Sequence, residues 1–228
     1  MNDNFTLAYL IILVFTLLAY TLVNRRFNKY SGTMAACDMT AREVAKKILQ
    51  DAGLTDVDVK YLSSAGLSDH YAPSQKTLWL SENVINSKSI AAIGIAAHEA
   101  AHAIQHAENY KPLVFRNANV NMASVGSRFG VLLLIIGLYF SITPVSYVGI
   151  ILYSFVVLFT LLTLPVEFNA SQRAIAILRD SSILTESELP GAKSVLSAAA
   201  MTYVAAVLAA VLQLFRMISR IRRSGKDD

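Results

Sequence analysis

The chain has 228 residues, of which 54% are apolar and only 16% charged, with a formal net charge of +4 and a mean hydropathy of +0.47. A fully soluble domain carries more charge than this, so part of the chain belongs in lipid. Cys37 is the only cysteine, which excludes an intramolecular disulfide and a Cys-rich zinc site, and the basic residues flank apolar runs instead of forming the patch a nucleic-acid partner needs.

In chain order, Phe5 to Val23 is an uncharged run of 19 residues, long enough to cross ~30 Å of hydrocarbon. Arg25, Arg26 and Lys29 follow at once. A cleaved signal peptide places its positive charge ahead of the apolar run and small residues at the cleavage site, and neither is present. The expectation is an uncleaved anchor with its N-terminus outside and the next segment in the cytoplasm. From about Ser31 to Pro112 the chain reads as a small soluble domain. Thr40 and Glu43 form a capping box, Val44, Ala45, Ile48 and Leu49 share one face, and Gly53 ends that helix. Val57, Val59 and Tyr61 alternate and Leu78-Trp79-Leu80 is a second apolar run, so two strands are expected, separated by the polar loop Ser68-Asp69-His70-Tyr71-Ala72-Pro73.

Ser89 caps a helix expected to run to about Ala107, and this helix carries Ala97-His98-Glu99-Ala100-Ala101-His102. The spacing matches H-E-x-x-H, in which two His one turn apart bind zinc and the Glu acts on a water. Residues four apart lie on one helix face with ~6 Å of rise, so both imidazoles reach one ion. A structural pair of His on a helix is the plainer alternative.

Two spans follow. Phe129 to Ile142 is short for a crossing unless the helix begins earlier, with Arg128 snorkelling. Thr143-Pro144 makes a turn, and Val145 to Pro165 is a run of the required length, which completes an antiparallel hairpin. Its second arm delivers Glu167 to the membrane face, where a carboxylate either snorkels to water or works. Zinc needs a third protein ligand. His106 lies ~12 Å along an unbroken helix from His98, too far for bonds of ~2 Å to a shared ion. His70 is a loop residue that reads equally well as solvated. Glu167 completes the His, His, Glu set of thermolysin-type sites and is the choice. His70, Tyr71 and Arg173 are candidates for stabilising an oxyanion. The last apolar run, Val195 to Phe215, is Ala-rich and suits close packing. Were it a full crossing, Arg216, Arg220, Arg222, Arg223 and Lys226 would lie outside, against the positive-inside trend.

His98-Glu99-Ala100-Ala101-His102-Ala103-Ile104-Gln105-His106 and Leu164-Pro165-Val166-Glu167-Phe168-Asn169-Ala170-Ser171 resemble the YugP-type neutral zinc metallopeptidases of bacterial membranes. Ser68-Asp69-His70-Tyr71 and Ala199-Ala200-Met201-Thr202-Tyr203-Val204-Ala205-Ala206 fit the same family, so the likeness runs from about Phe27 to Phe215. It implies zinc on His98, His102 and Glu167, with Glu99 catalytic. The chain is similar, more distantly, to the HtpX-type and CAAX-prenyl endopeptidases, which carry an Asp four residues after the Glu ligand where Ser171 stands here. Ala72 occupies a position that is usually Asp in the YugP-type loop.

Together these readings describe a mainly α membrane protein in which a small α+β metalloprotease domain is joined to a transmembrane helical hairpin, with an N-terminal anchor and an Ala-rich C-terminal helix. The expected divisions are 1–29 for the anchor and its basic flank, 30–115 for the zinc-binding catalytic domain, 116–171 for the hairpin and 172–228 for the C-terminal helical region. The expected function is a zinc-dependent endopeptidase, with one Zn2+ per chain, embedded in a bacterial plasma membrane as a multi-pass protein with its active site on the cytoplasmic face. Its partners are the lipid bilayer and a membrane-associated protein or peptide substrate, with no nucleic acid; oligomeric state is not legible. The alternatives are a catalytically inactive membrane scaffold and a zinc hydrolase of a non-peptide substrate. Glu99 weighs against the scaffold, because zinc held for structure needs ligands but no base.

Overall fold

The computed structural model describes residues 3–63 and 68–224, and the tail residue Lys226 lies outside them. Among the described residues there are seven helices and one three-stranded sheet. Four of the helices are long and apolar enough to cross a membrane, namely α1 (Asp3–Ser31), α5 (Lys111–Tyr139), α6 (Thr143–Asp180) and α7 (Leu189–Ser224). On α1 the side chains of Leu7, Leu10, Ile11, Leu13, Val14, Leu17 and Leu18 are each more than half exposed. A soluble protein does not present so continuous an apolar surface, and a lipid solvent accounts for it. This is a mainly α membrane protein with a small α+β domain.

The long helices differ from expectation in their limits. Helix α5 starts at Lys111, well ahead of Arg128, so the short apolar run is the second half of a 29-residue helix. Helix α6 passes straight through Pro165 and continues to Asp180. A proline removes one backbone hydrogen bond and crowds the preceding turn, yet the residues beyond it bury a stripe that holds the helix together (Val166, Ala170, Ala174 and Leu178, each 0% exposed). Helix α7 includes the whole Ala-rich run and extends beyond it at both ends.

Two compact units divide the chain. The first comprises residues 3–18, 111–165 and 202–224. Within it α5 and α6 approach backbone to backbone, since a Cβ on Gly126 would lie 2.1 Å from the Leu152 carbonyl oxygen and one on Gly149 would lie 2.5 Å from that of Gly130. Leu134, Met217 and Ile221 form its small buried apolar cluster.

The second unit, residues 19–110 and 166–201, holds the larger core. Helix α2 (Ala41–Asp51) starts at a complete capping box. The Thr40 hydroxyl accepts from the Glu43 N–H at 3.3 Å, and the Glu43 carboxylate accepts from the Thr40 N–H at 2.7 Å. Its Val44, Ile48 and Leu49 are buried, and Gly53 closes the end with φ +73. Strand β1 (Asp58–Leu62) runs parallel to β3 (Thr77–Ser81), and β3 pairs on its other side, antiparallel, with β2 (His70–Ala72). The sheet order is therefore β1-β3-β2, with three strands where two were expected. Residues 70–72 read as loop because three residues are too few to display a period of two. A 3-10 turn at Pro73–Gln75, closed by Lys76 at φ 45, then reverses the chain into β3. After α3 (Glu82–Ile85), helix α4 (Ile90–Ala107) packs its Ala-rich faces into this core.

Overpacking at a backbone contact costs about 1–3 kcal/mol. Gly126→Ala is accordingly expected to lower the unfolding midpoint of the detergent-solubilised protein, measured by thermal or denaturant unfolding. An unchanged midpoint would rule out the close approach of α5 and α6.

Candidate metal centre

The site is built on α4 and on the part of α6 beyond Pro165. Ser89 caps α4, its hydroxyl accepting from the Ala92 N–H at 3.2 Å. At the other end Asn109 adopts φ 52 and the Tyr110 N–H closes onto the Gln105 carbonyl at 2.9 Å, a left-handed cap. Ala96, Ala97, Ala100 and Ala101 are fully buried, so α4 lies deep in the core with His98 and His102 on one face. On α6, the stripe from Val166 to Leu178 docks into the same core. The adjacent stripe, one residue further on, carries Glu167 and Ser171 to the imidazoles.

His98 Nε2 lies 3.2 Å from Glu167 Oε2, and His102 Nε2 lies 3.6 Å from the same oxygen. The rings meet edge to face with their centroids 4.7 Å apart. One ligand atom from each of the three residues falls within 4.8 Å of the others. Ligands bound tetrahedrally to zinc at 2.0–2.1 Å are separated by about 3.3 Å, so the separations to Glu167 suit a single ion. The donor set, two neutral imidazoles and a carboxylate, is that of catalytic zinc sites with an open fourth position. The three side chains are 12%, 13% and 7% exposed, leaving little water to compete. This His-His-Glu group is positioned to bind a metal ion.

Burial dominates the electrostatics. It holds the His98 imidazole below its ordinary pKa, which favours the neutral, metal-binding form. Burial also opposes charge on His102, but the carboxylates of Glu167 and Glu99 outweigh it and the value lies above the ordinary one. One shared carboxylate compensates one imidazolium and not two. Glu99, only 8% exposed, has its carboxyl pushed up to about 8 by burial, against the opposing influence of His102. Its Oε2 accepts the Tyr71 N–H at 3.0 Å, so edge strand β2 holds it directly. A carboxyl with its pKa raised towards neutrality exchanges protons near physiological pH, as a general base and acid must.

The structure brings His98, His102 and Glu167 together and sets Glu99 beside them, within electrostatic reach. His106 is outside the group, its Nδ1 3.0 Å from the Tyr71 hydroxyl. His70 is exposed, with Nδ1 2.9 Å from the Ser68 carbonyl. Arg173 faces Asn169 and Glu108 and lies over the Tyr110 ring. Of the three oxyanion candidates, only Tyr71 directly contacts one of these four residues, and it does so through its backbone. Ser171, four residues after Glu167, stands 3.2 Å from His98 Nδ1. Gln105 is the residue that sequence reasoning passed over. It is completely buried, with Oε1 3.0 Å from His102 Nδ1. The available signal was an amide three residues after a candidate ligand on an otherwise Ala-rich helix, a spacing that shares a face.

Comparison with known proteins agrees with this geometry. The family described as "Putative neutral zinc metallopeptidase" matches residues 5–222. The protein named "Putative membrane protease YugP" from Bacillus subtilis (strain 168) is 41% identical over 206 residues, covering 90% of this chain and 91% of that one. No solved structure gives a significant match. Zinc is the metal that the family and the His-His-Glu group together indicate. Extending over nearly the whole chain, these matches make it a member of the neutral zinc metallopeptidase family, the family its four motifs resemble.

Proposed function

We propose that the protein is a membrane-integrated zinc-dependent endopeptidase that hydrolyses peptide bonds in membrane or juxtamembrane segments of other proteins. The observation that carries this reading is the convergence of His98 Nε2, His102 Nε2 and Glu167 Oε2 beside a buried carboxyl, Glu99, that none of them needs as a ligand. In this reading His98, His102 and Glu167 hold the ion. Zinc so held supplies Lewis acidity, lowering the pKa of a bound water towards neutrality and polarising the scissile carbonyl. Glu99 takes a proton from the attacking water and delivers it to the departing amine nitrogen. The Tyr71 N–H on Oε2 fixes the carboxyl's orientation and leaves its other oxygen for that transfer. Ser171 and Gln105 hold the ring positions of the two imidazoles.

Glu167 follows Pro165 by two residues, at the end of the apolar run of α6, which supports substrates drawn from the membrane or its surface. Arg25, Arg26, Lys29, Arg116, Arg128, Arg173 and Arg179 near the ends of the apolar runs support a cytoplasmic position for the site.

Three measurements test the reading. Zinc titration against a competing chelator should show severe weakening in Glu167→Ala and near wild-type affinity in His106→Ala; the opposite ranking would transfer the third ligand to His106. Glu99→Gln keeps the shape and cannot accept the proton, so it should retain zinc while peptide hydrolysis falls at least ~10²-fold. Hydrolysis at the wild-type rate would mean another residue is the base. For topology, a reporter inserted at Ser63 should read cytoplasmic and one at Thr143 external, and an external reading at Ser63 would move the site to the opposite face.

A further inference from the structure

We infer that Gln105, Asn169 and Arg173 form a hydrogen-bond relay that determines which ring nitrogen of His102 is offered to the metal. Donor chemistry alone carries the argument, starting from Arg173. A guanidinium donates and never accepts. Arg173 Nε lies 2.8 Å from Asn169 Oδ1, so the carbonyl end of the Asn169 amide occupies that place. The same Oδ1 lies 2.9 Å from Gln105 Nε2, and the Val166 carbonyl oxygen lies 2.9 Å from Nε2 as well. Two acceptors at one end of the Gln105 amide identify that end as NH2. Its other end is therefore the carbonyl oxygen, 3.0 Å from His102 Nδ1. A carbonyl only accepts, so His102 Nδ1 bears a hydrogen and Nε2, directed at Glu167, is the nitrogen left to bind an ion.

An isolated Asn or Gln amide can be turned over at little cost in contacts. Here neither can, because Arg173, which only donates, holds the Asn169 carbonyl end, while the Val166 carbonyl, which only accepts, holds the Gln105 NH2 end together with Asn169. Arg173 is itself tied to Glu108 at 2.7 Å and lies over the Tyr110 ring. Gln105 is fully buried, and all three of its amide hydrogen bonds are to protein atoms. His98 lacks such a relay on Nδ1, while its Nε2 lies 3.2 Å from the Glu167 carboxylate, which only accepts. Its Nδ1 faces the Ser171 hydroxyl, which can donate or accept, so the contact is compatible with either tautomer. The relay therefore acts on one imidazole of the pair, and Val166 and Asn169, which bracket Glu167, place that ligand under the same hold.

The assignment of His102 as a ligand comes from the proposed function, but the tautomer can be read without metal. The test uses metal-free, detergent-solubilised protein with 15N-labelled histidine, at alkaline pH where the imidazoles are neutral. Long-range proton–nitrogen correlation reports the tautomer, with His102 identified by the loss of its signals in His102→Gln. The wild-type ring should be hydrogenated at Nδ1. Asn169→Asp retains an acceptor for both Gln105 and Arg173, and should keep that tautomer and wild-type zinc affinity. Asn169→Leu removes one of the two acceptors on the Gln105 NH2 and leaves the Val166 carbonyl alone to hold it, so a second, minor tautomer should appear in the His102 signals, with zinc affinity about 10-fold weaker. A merely structural Asn169 would lower the melting temperature in Asn169→Leu without altering the tautomer. That result, or a wild-type ring hydrogenated at Nε2, overturns the inference. Wild-type protein that shows the expected tautomers but binds no zinc would overturn the metal reading and leave the relay standing.

Discussion

The buried carboxylate of Glu167 is the constraint on which the rest of the site depends. An ionised group taken that far from water loses several kcal/mol of solvation, and only a close partner offsets the loss. The partners are two imidazoles on another helix, both aimed at the same oxygen. Helix α6 can therefore bury the stripe from Val166 to Leu178 only in the register that also delivers Glu167 to His98 and His102. The small side chains on α4 serve the same end. With Ala at 96, 97, 100 and 101, the helix sinks into the core and its two His face inwards without steric cost.

Around this group the surrounding residues have different tasks. Burial makes the Glu99 carboxyl a weak acid close to neutrality, against the opposing influence of His102. One of its oxygens accepts from the backbone of an edge strand. His102 Nδ1 meets a continuous line of donors and acceptors ending in an arginine, whereas His98 Nδ1 faces a single hydroxyl. An Asp at position 171 would make that second support charged and stronger.

Helix α6 carries both an apolar span and part of the metal-binding group. Its 38 residues include both an apolar run long enough to span hydrocarbon and the turn that bears Glu167 and Ser171. Pro165 lies between these parts without ending the helix, because the buried stripe beyond it supplies the packing that a lost hydrogen bond would otherwise weaken. Lipid-facing surface on α1 and the close glycine contacts between α5 and α6 belong to the same adaptation, since association within a bilayer relies on close packing of small residues.

Local chemistry was legible in the sequence by itself. The two His at a spacing of four, the Glu between them, the Thr40 and Glu43 capping box and the apolar runs all depend on periodicities of a single helix, which a linear sequence displays directly. Helix rise alone disqualified His106, and the choice of Glu167 followed from ligand chemistry and the later motif that bears it. Only the tertiary structure decided which atoms meet. Strand β2 exists because β3 is beside it, the continuation of α6 beyond Pro165 depends on a core assembled from six other elements, and Gln105 gains its meaning from Asn169 and Arg173, more than sixty residues away. Such contacts leave no period in the sequence, because they are set by how separate elements pack and by the requirement that buried polar groups find partners.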